Sequence, residues 1–136
     1  MGELLTPPDV EGVCVASIKD VFRSGEASGV RVSTKIPTSG GKTLDEFVRV
    51  IALGGVDDTL VSGDERVMLE GWAATEVRAH RLWALALAAL THDAVRMVSA
   101  RRLGGPSNDP HSDYPALSRY SGQVGVRVRL DASPLS

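Results

Sequence analysis

The amino-acid sequence predicts an α+β fold: a single domain over residues 1–136, with a mainly antiparallel sheet and two helices packed on one of its faces. Two segments repeat apolar residues at helical spacing, and several others alternate apolar and polar residues as strands do. Most predicted strands follow one another without an intervening helix, which favours antiparallel pairing in the order α-β-β-β-α-β-β. Residues 1–7 and 131–136 are expected to be flexible termini.

The chain begins with a predicted helix over residues 8–24. Asp9 suits the positive end of the helix dipole, and apolar residues follow at helical spacing until a serine and a glycine. A strand is predicted over residues 30–36, where Arg31 belongs to the polar set that alternates with the apolar one. The strand ends at a proline, and the glycine-rich run over residues 38–45 predicts a flexible loop.

Two more strands and the second helix are predicted in the middle of the chain. The strands cover residues 47–53 and 67–73. Thr75 can cap the helix that follows, because its hydroxyl can accept a hydrogen bond from a free backbone N–H of the first turn. This helix has an apolar stripe whose largest members are expected to be buried against the sheet: Trp83, Leu87 and Leu90.

The last part of the chain combines an ambiguous segment, a polar run and a clear strand. Residues 95–103 fit either the end of a helix or a strand, and a strand is favoured for the later half. Residues 104–118 are rich in glycine, proline and polar side chains, which predicts a long loop. The final strand is predicted over residues 119–130, where apolar and arginine side chains alternate.

The composition argues against several classes of function. A net charge of -2 and a pI of about 5.9 are unlike the basic field of most nucleic-acid-binding proteins. The most apolar stretch, residues 82–90, is far shorter than the roughly 20 residues that span a membrane, so we expect a soluble protein with no membrane partner. Cys14 is the single cysteine, so no disulfide can form within the chain.

One short motif resembles the end of a phosphate-binding loop. Gly40, Gly41 and Lys42 are followed by a threonine, as in that motif. The full motif needs a further glycine at position 36, which is Ile36 here, and the next residue, Pro37, has no backbone N–H to donate to a phosphate. We therefore interpret the run as a flexible loop and expect no nucleotide and no other cofactor.

The three histidines offer only weak candidates for chemistry. His92 next to Asp93 can act as a base or a metal ligand, and His111 lies between two aspartates of the predicted long loop. His80 lies on the second helix, one turn before a tryptophan. No second cluster completes a set of four metal ligands, and no nucleophile motif is present. We expect no catalytic residue and no metal site, and therefore no enzyme.

Arginines on the predicted strands form a more informative pattern. Most of them fall opposite the apolar set of their own strand, which ordinarily describes a solvated sheet face. The alternative is a surface between subunits, because arginine is the charged residue that interfaces tolerate best. Acidic residues near one end of the sheet would give such a surface something to bind. The candidate interface residues are Arg31, Arg49, Arg127, Arg129, Asp57 and Asp58.

Several stretches, taken in order, carry a resemblance to a known family. They are residues 30–37, residues 47–50 leading to Gly54 and Gly55, residues 69–73, the alanine- and leucine-rich helix, and Gly104-Gly105-Pro106 before the polar run and the last strand. Over roughly residues 10–130 this set resembles the tail-terminator, or minor tail, proteins of long-tailed actinobacterial bacteriophages. The glycine-rich segment at residues 38–45 is longer than in that family.

The resemblance implies a structural virion protein that forms a hexameric ring at the head-proximal end of the tail tube. Its implied partners are further copies of itself, the tail tube protein and the head-side connector, and genome DNA passes through the ring without sequence-specific binding. The ring would be assembled in the cytoplasm of the bacterial host and remain in the phage tail. The candidate partner-binding loops contain Gly40, Gly41, Lys42, Asn108, Asp109 and His111.

Two other interpretations of the sequence stay open. The first is another head–tail joining or tail-tube component of similar fold, which would differ only in the partner that each face binds. The second is a small cytoplasmic ligand-binding α+β domain, which would need a binding or catalytic constellation that the sequence does not contain.

Overall fold

The structure is a computed structural model that describes residues 9–55 and 64–129. The predicted flexible termini, residues 1–7 and 131–136, lie outside these ranges, and so do the candidate residues Asp57 and Asp58. The described elements, in chain order, are helix α1 (Val10–Val21), strands β1 (Arg31–Ser33), β2 (Thr38–Ser39), β3 (Lys42–Thr43), β4 (Phe47–Gly55) and β5 (Asp64–Ala73), helix α2 (Glu76–Thr91), and strands β6 (Met97–Asn108) and β7 (Ser118–Val128).

The main sheet has five strands in the order β1-β4-β5-β7-β6. The pairs β4–β5, β5–β7 and β7–β6 are antiparallel, and β1 alone runs parallel to its neighbour β4. Helix α1 packs on β1 and β4, whereas α2 packs on β4 to β7, and the buried side chains of both helices join one cluster with alternate residues of the strands. The predicted α+β fold with two helices on one face is therefore confirmed.

Each helix begins after a residue whose side chain caps its first turn: Thr75 does so as predicted, whereas Asp9, which the prediction places inside a helix over residues 8–24, is the cap of α1. The Asp9 carboxylate accepts a hydrogen bond from the backbone N–H of Gly12 at 3.1 Å, and the Thr75 hydroxyl accepts one from that of Arg78 at 3.2 Å. Each cap satisfies a backbone donor that the first helical turn leaves without a partner. Helix α1 is shorter than predicted, since Phe22 already caps its C-terminus.

The core lies between the helices and the sheet. Trp83 of α2 is 2 % exposed, and its indole N–H donates to the backbone carbonyl of Leu69 at 2.8 Å. Leu90 is fully buried as predicted, but Leu87 is only half-buried, so that part of the prediction is wrong. Cys14 is also in the core. Burial, with smaller effects from nearby carboxylates, raises the pKa of its thiol to about 12.

Helix α2 approaches the sheet closely because two strand positions facing it have no side chain. A Cβ atom at Gly71 would lie 2.3 Å from the carbonyl oxygen of Ala79, and one at Gly122 would lie 2.6 Å from the Trp83 ring. Both distances are far below van der Waals contact. The glycines thus set how near the helix axis can come to β5 and β7.

The structure differs from the sequence prediction in one strand and two loops. The strand predicted over 30–36 is only three residues long and pairs in parallel, because alternation defines the faces of a strand but not its partner. Residues 38–45 contain the β2–β3 hairpin instead of a flexible loop. Residues 104–108 continue strand β6 through irregular pairing with β7, so the loop is limited to residues 109–117.

The hairpin at residues 38–43 has a clear physical cause. Gly40 and Gly41 both have positive φ, 61° and 82°, as a two-residue turn between antiparallel strands requires.

Within residues 9–55 and 64–129, neither helix has the length and apolar character that crossing a bilayer would need.

We predict that Gly71→Ala strongly destabilises the protein, because the new methyl group would meet helix backbone that cannot move without shifting α2. Overpacking of this kind costs roughly 1–3 kcal/mol and more where backbone is hit, so we expect a loss of about 3 kcal/mol in the free energy of unfolding, measured in urea.

Gly104→Ala is the matched control, since a Cβ atom there meets nothing within 4 Å. We expect its free energy of unfolding to stay within about 0.5 kcal/mol of the parent protein. Equal stability of the two variants would contradict the close approach of α2 to the sheet.

Candidate functional site

The candidate site is the sheet face that no described helix covers, here called the helix-free face. It is built from alternate residues of three neighbouring strands, and antiparallel pairing brings the side chains of opposite residues together on it. Arg49 lies opposite Glu70, and Glu70 in turn lies opposite Ser121. The further members of the face are Phe47 and Ile51 of β4, Arg66, Met68 and Trp72 of β5, and Arg119, Gln123, Gly125 and Arg127 of β7.

A buried carboxylate, Glu70, lies at the centre of this face with only 4 % of its surface exposed. The Trp72 indole N–H donates to Glu70 Oε1 at 3.0 Å. Arg119 Nη1 lies 3.3 Å from Oε2, and Arg49 Nη1 lies 3.6 Å from Oε1. Burying a carboxylate is costly unless it is paired and hydrogen-bonded, and these three partners meet that requirement.

Aromatic rings and an arginine surround Trp72, which is fully buried although it points away from the helices. Phe47 stacks on it with ring centroids 4.9 Å apart, and the Arg119 guanidinium lies 5.3 Å from the ring centroid. Tyr114 contacts it edge-on at 5.7 Å and His111 lies at 5.8 Å. We call this group, together with Glu70, the Trp72 cluster.

The Trp72 cluster holds the loop of residues 109–117 against the sheet. Arg119 donates from Nε to the backbone carbonyl of Asp109 at 2.7 Å and forms an ion pair with the Asp109 carboxylate at 2.9 Å. His111 and Tyr114 then cover Trp72 from the solvent side. The loop therefore forms a second, smaller packed region on the side of the sheet opposite the main core.

The candidate residues for metal binding or catalysis do not come together. His111 accepts a hydrogen bond at Nδ1 from the backbone of Asp113, and His80 makes an edge contact with Tyr120 at a centroid distance of 5.1 Å. His92 is exposed at the end of α2. In the described part of the chain, no three His, Cys, Asp or Glu side chains are grouped as a metal ion would need.

Asp93, the neighbour of His92, is instead committed to an ion pair with Arg96. The two side chains are 2.8 Å apart, and Arg96 also lies 2.7 Å from Asp20 of α1. Burial acts to raise the pKa of Asp93, but hydrogen bonds from Arg96 and Ser17 and the guanidinium charge lower it below its ordinary value of 3.8. This group ties the ends of both helices to the start of β6.

The candidate interface residues are spread over different parts of the surface. Arg31 is exposed on the edge strand β1, and Arg49 is engaged by Glu70. Arg127 lies on β7 opposite Asp64. Arg129 lies beyond the end of β7, which is a correction to the predicted strand, and its Nε donates to the backbone of Ala94.

The candidate loop residues also separate. Gly40, Gly41 and Lys42 belong to the β2–β3 hairpin, where Lys42 is exposed. Asn108 ends strand β6 and its amide donates to the Glu76 carboxylate at the start of α2. Asp109 and His111 join the Trp72 cluster. The two candidate loops therefore do not form one continuous binding surface.

Sequence reasoning missed the Trp72 cluster. Strict alternation along β5 places Glu70 and Trp72 together opposite the apolar set, so the shared face could have been found. The pairing of Glu70 with Arg49 and Arg119 could not, because it depends on the register of three strands that are far apart in sequence.

No model of a known protein family matches this chain, and no curated protein matches it.

We predict that Glu70→Ala lowers the free energy of unfolding by about 3 kcal/mol, because it removes a buried carboxylate that pairs with two partly buried guanidinium groups and accepts from the Trp72 indole N–H. Asp109→Ala removes a second carboxylate from the same Arg119, but Asp109 is half exposed, with 54 % of its side chain accessible. An exposed ion pair contributes at most about 1 kcal/mol. Urea unfolding of both variants measures the difference, and similar losses would refute the burial argument.

We predict a contribution of Asp93 to acid sensitivity. Because its pKa is lower in the folded protein than in the unfolded chain, its contribution to stability is complete above pH 3.8 and is lost as the pH falls through the folded value. Asp93→Asn should therefore flatten the fall in the free energy of unfolding below about pH 4. Asp113→Asn, at an exposed aspartate, should leave that slope unchanged; an equal effect of both variants would exclude this role.

Proposed function

We propose that this chain is a structural virion protein, a tail terminator that assembles as a hexameric ring at the head-proximal end of a bacteriophage tail tube. The ring would end tube growth and join the tail to the head-side connector. Two findings support the proposal. The ordered sequence stretches resemble tail-terminator proteins, and the α+β fold is the class that this resemblance implies.

The observation that carries the proposal is the helix-free face. A sheet with helices on one face only leaves its other face available to another molecule. The loop of residues 109–117 covers the Trp72 end of that face, and the part beyond it presents arginine side chains, among them Arg66 and Arg127, a residue type that is enriched at protein interfaces. The Trp72 cluster fixes the covered end, since each of its charged members has a partner.

Ring formation needs a contact between two different patches of the same chain. Such head-to-tail contacts close into a ring when the rotation between neighbours is a simple fraction of a turn. The helix-free face differs from the helix-covered side and from the sheet edges. It can therefore serve as one of the two patches, with a different part of the surface as the other. The partners of the ring would be the tail tube protein and the head-side connector, with genome DNA passing through without sequence-specific binding. The ring would be assembled in the host cytoplasm and remain in the virion.

Native mass tests this proposal directly. We expect light scattering after size-exclusion chromatography to give about six times the chain mass of 14.4 kDa, alone or after addition of the tail tube protein. Negative-stain electron microscopy should show rings of one diameter, and capped tubes should stop growing.

A chain that stays monomeric at all concentrations, and that binds neither tubes nor connector, would overturn the proposal. Binding to the connector without any effect on tube length would assign the chain to the neighbouring class of head–tail joining proteins instead.

A further inference from the structure

A groove continues along the helix-free face beyond the Trp72 cluster, towards the start of β5. Its cavity measures about 470 Å³ and lies over β7, between β5 and β6. Among the described residues, the charged side chains that line it are Arg66, Arg101, Arg127 and Glu65, so positive charges predominate there. We call this cavity the basic groove. A smaller cavity of about 350 Å³, with Met68 in its wall, adjoins it at Leu103.

The floor of the basic groove is a glycine with an arginine on either side. Gly125 of β7 lies opposite Arg66 of β5 and also opposite Arg101 of β6. Directly opposite residues share one face of an antiparallel sheet, so both arginines border the glycine on the helix-free face. A Cβ atom at Gly125 would lie 3.2 Å from the Leu103 side chain, which therefore forms an apolar wall of the groove.

The two arginines beside Gly125 differ from the arginines that serve the fold. Arg49, Arg96 and Arg119 each form an ion pair with a carboxylate. Arg66 and Arg101 are exposed, and neither forms an ion pair with any residue in 9–55 or 64–129. Two uncompensated guanidinium groups next to an apolar wall suit a ligand that carries carboxylates followed by an apolar side chain.

We propose that the basic groove binds residues 56–63 of a neighbouring copy of this chain. That segment reads Val-Asp-Asp-Thr-Leu-Val-Ser-Gly, so two adjacent carboxylates, Asp57 and Asp58, precede Leu60 and Val61. The carboxylates pair with Arg66 and Arg101, and the apolar residues contact Leu103. The inference rests on the proposed ring, for which it identifies one contact between subunits.

The length of the segment agrees with this contact. The strands on either side end at Gly55 and begin at Asp64, so both ends of the eight-residue segment are held at the same end of the sheet. A segment of eight residues with both ends held can extend by at most about four residues, or roughly 13 Å. That length is enough chain to bring two carboxylates and an apolar side chain to a groove on another copy.

A contact between a segment and a different patch of the next copy is also the kind that a ring requires. The segment of one copy binds the groove of the second, whose own segment binds the third, and the series closes. Binding of the segment in the groove of its own subunit would satisfy the charges but would link no subunits. The experiment must therefore separate the two arrangements.

Charge reversal with rescue tests the contact. Arg66→Glu with Arg101→Glu, or Asp57→Lys with Asp58→Lys, should weaken assembly at least tenfold, read as the concentration of half-maximal ring formation. Combining all four substitutions in one chain should restore assembly to within about threefold. Lys19→Glu with Arg102→Glu is the control for the charge change, because both residues are exposed and lie away from the groove, and it should assemble normally.

Crosslinking separates binding between copies from binding within one copy. An Asp58→Cys chain and an Arg101→Cys chain of different tag length are mixed and treated with a short bis-maleimide. The native Cys14 is buried and stays unreactive. We expect a crosslinked heterodimer. A third chain carries both substitutions and tests binding within one copy. If that chain crosslinks within itself while the mixture of single variants gives no heterodimer, the proposal is overturned.

The outcomes also distinguish this contact from the function on which it rests. If both charge-reversed variants form rings as readily as the parent chain does, the contact is rejected while the ring function stands. A parent chain that never assembles, and that gives no crosslinked heterodimer, would reject both.

Discussion

The close packing of helix α2 on the sheet at Gly71 and Gly122 is the constraint on which the rest of the structure depends. The missing side chains let the Trp83 ring pack directly against Gly122 of β7 and donate its indole N–H to the Leu69 carbonyl of β5. A tryptophan buries a large apolar area, so this single contact fixes which face of β5 and β7 is covered. Every residue at an alternate position on these strands is thereby assigned to the helix-free face.

That assignment explains why a glutamate is buried on the far side of the sheet. Glu70 follows Leu69 and precedes Gly71, both of which face α2, so its carboxylate has to point to the other face. It is stable there because Arg49, Arg119 and Trp72 supply its hydrogen bonds and charge balance. The same arginine anchors the loop of residues 109–117, so a buried charge on β5 determines the shape of a loop about forty residues later in the chain.

The charges of the helix-free face divide into two kinds. Around the Trp72 cluster they neutralise one another and act as a fixed structure. Around Gly125, Arg66 and Arg101 form no ion pair with a described residue, and an exposed apolar side chain, Leu103, lies beside them. Paired charges contribute specificity within the fold, whereas uncompensated charges steer an approaching partner. The proposed ring contact follows from this difference and from the acidic sequence between β4 and β5.

The sequence by itself determined the class of the fold, the cap of α2 and most strand positions, because these depend on local periodicity and on side chains that bond their own backbone, as Thr75 does. It also determined that Arg127 would lie on the polar side of its strand. The tertiary structure decided the parallel pairing of β1, the extension of β6 through Gly104 to Asn108, and the meeting of Glu70 with Arg49 and Arg119. These features depend on register between strands that are distant in the chain. Alternation is identical for every partner a strand can choose, so only packing of the whole sheet selects one.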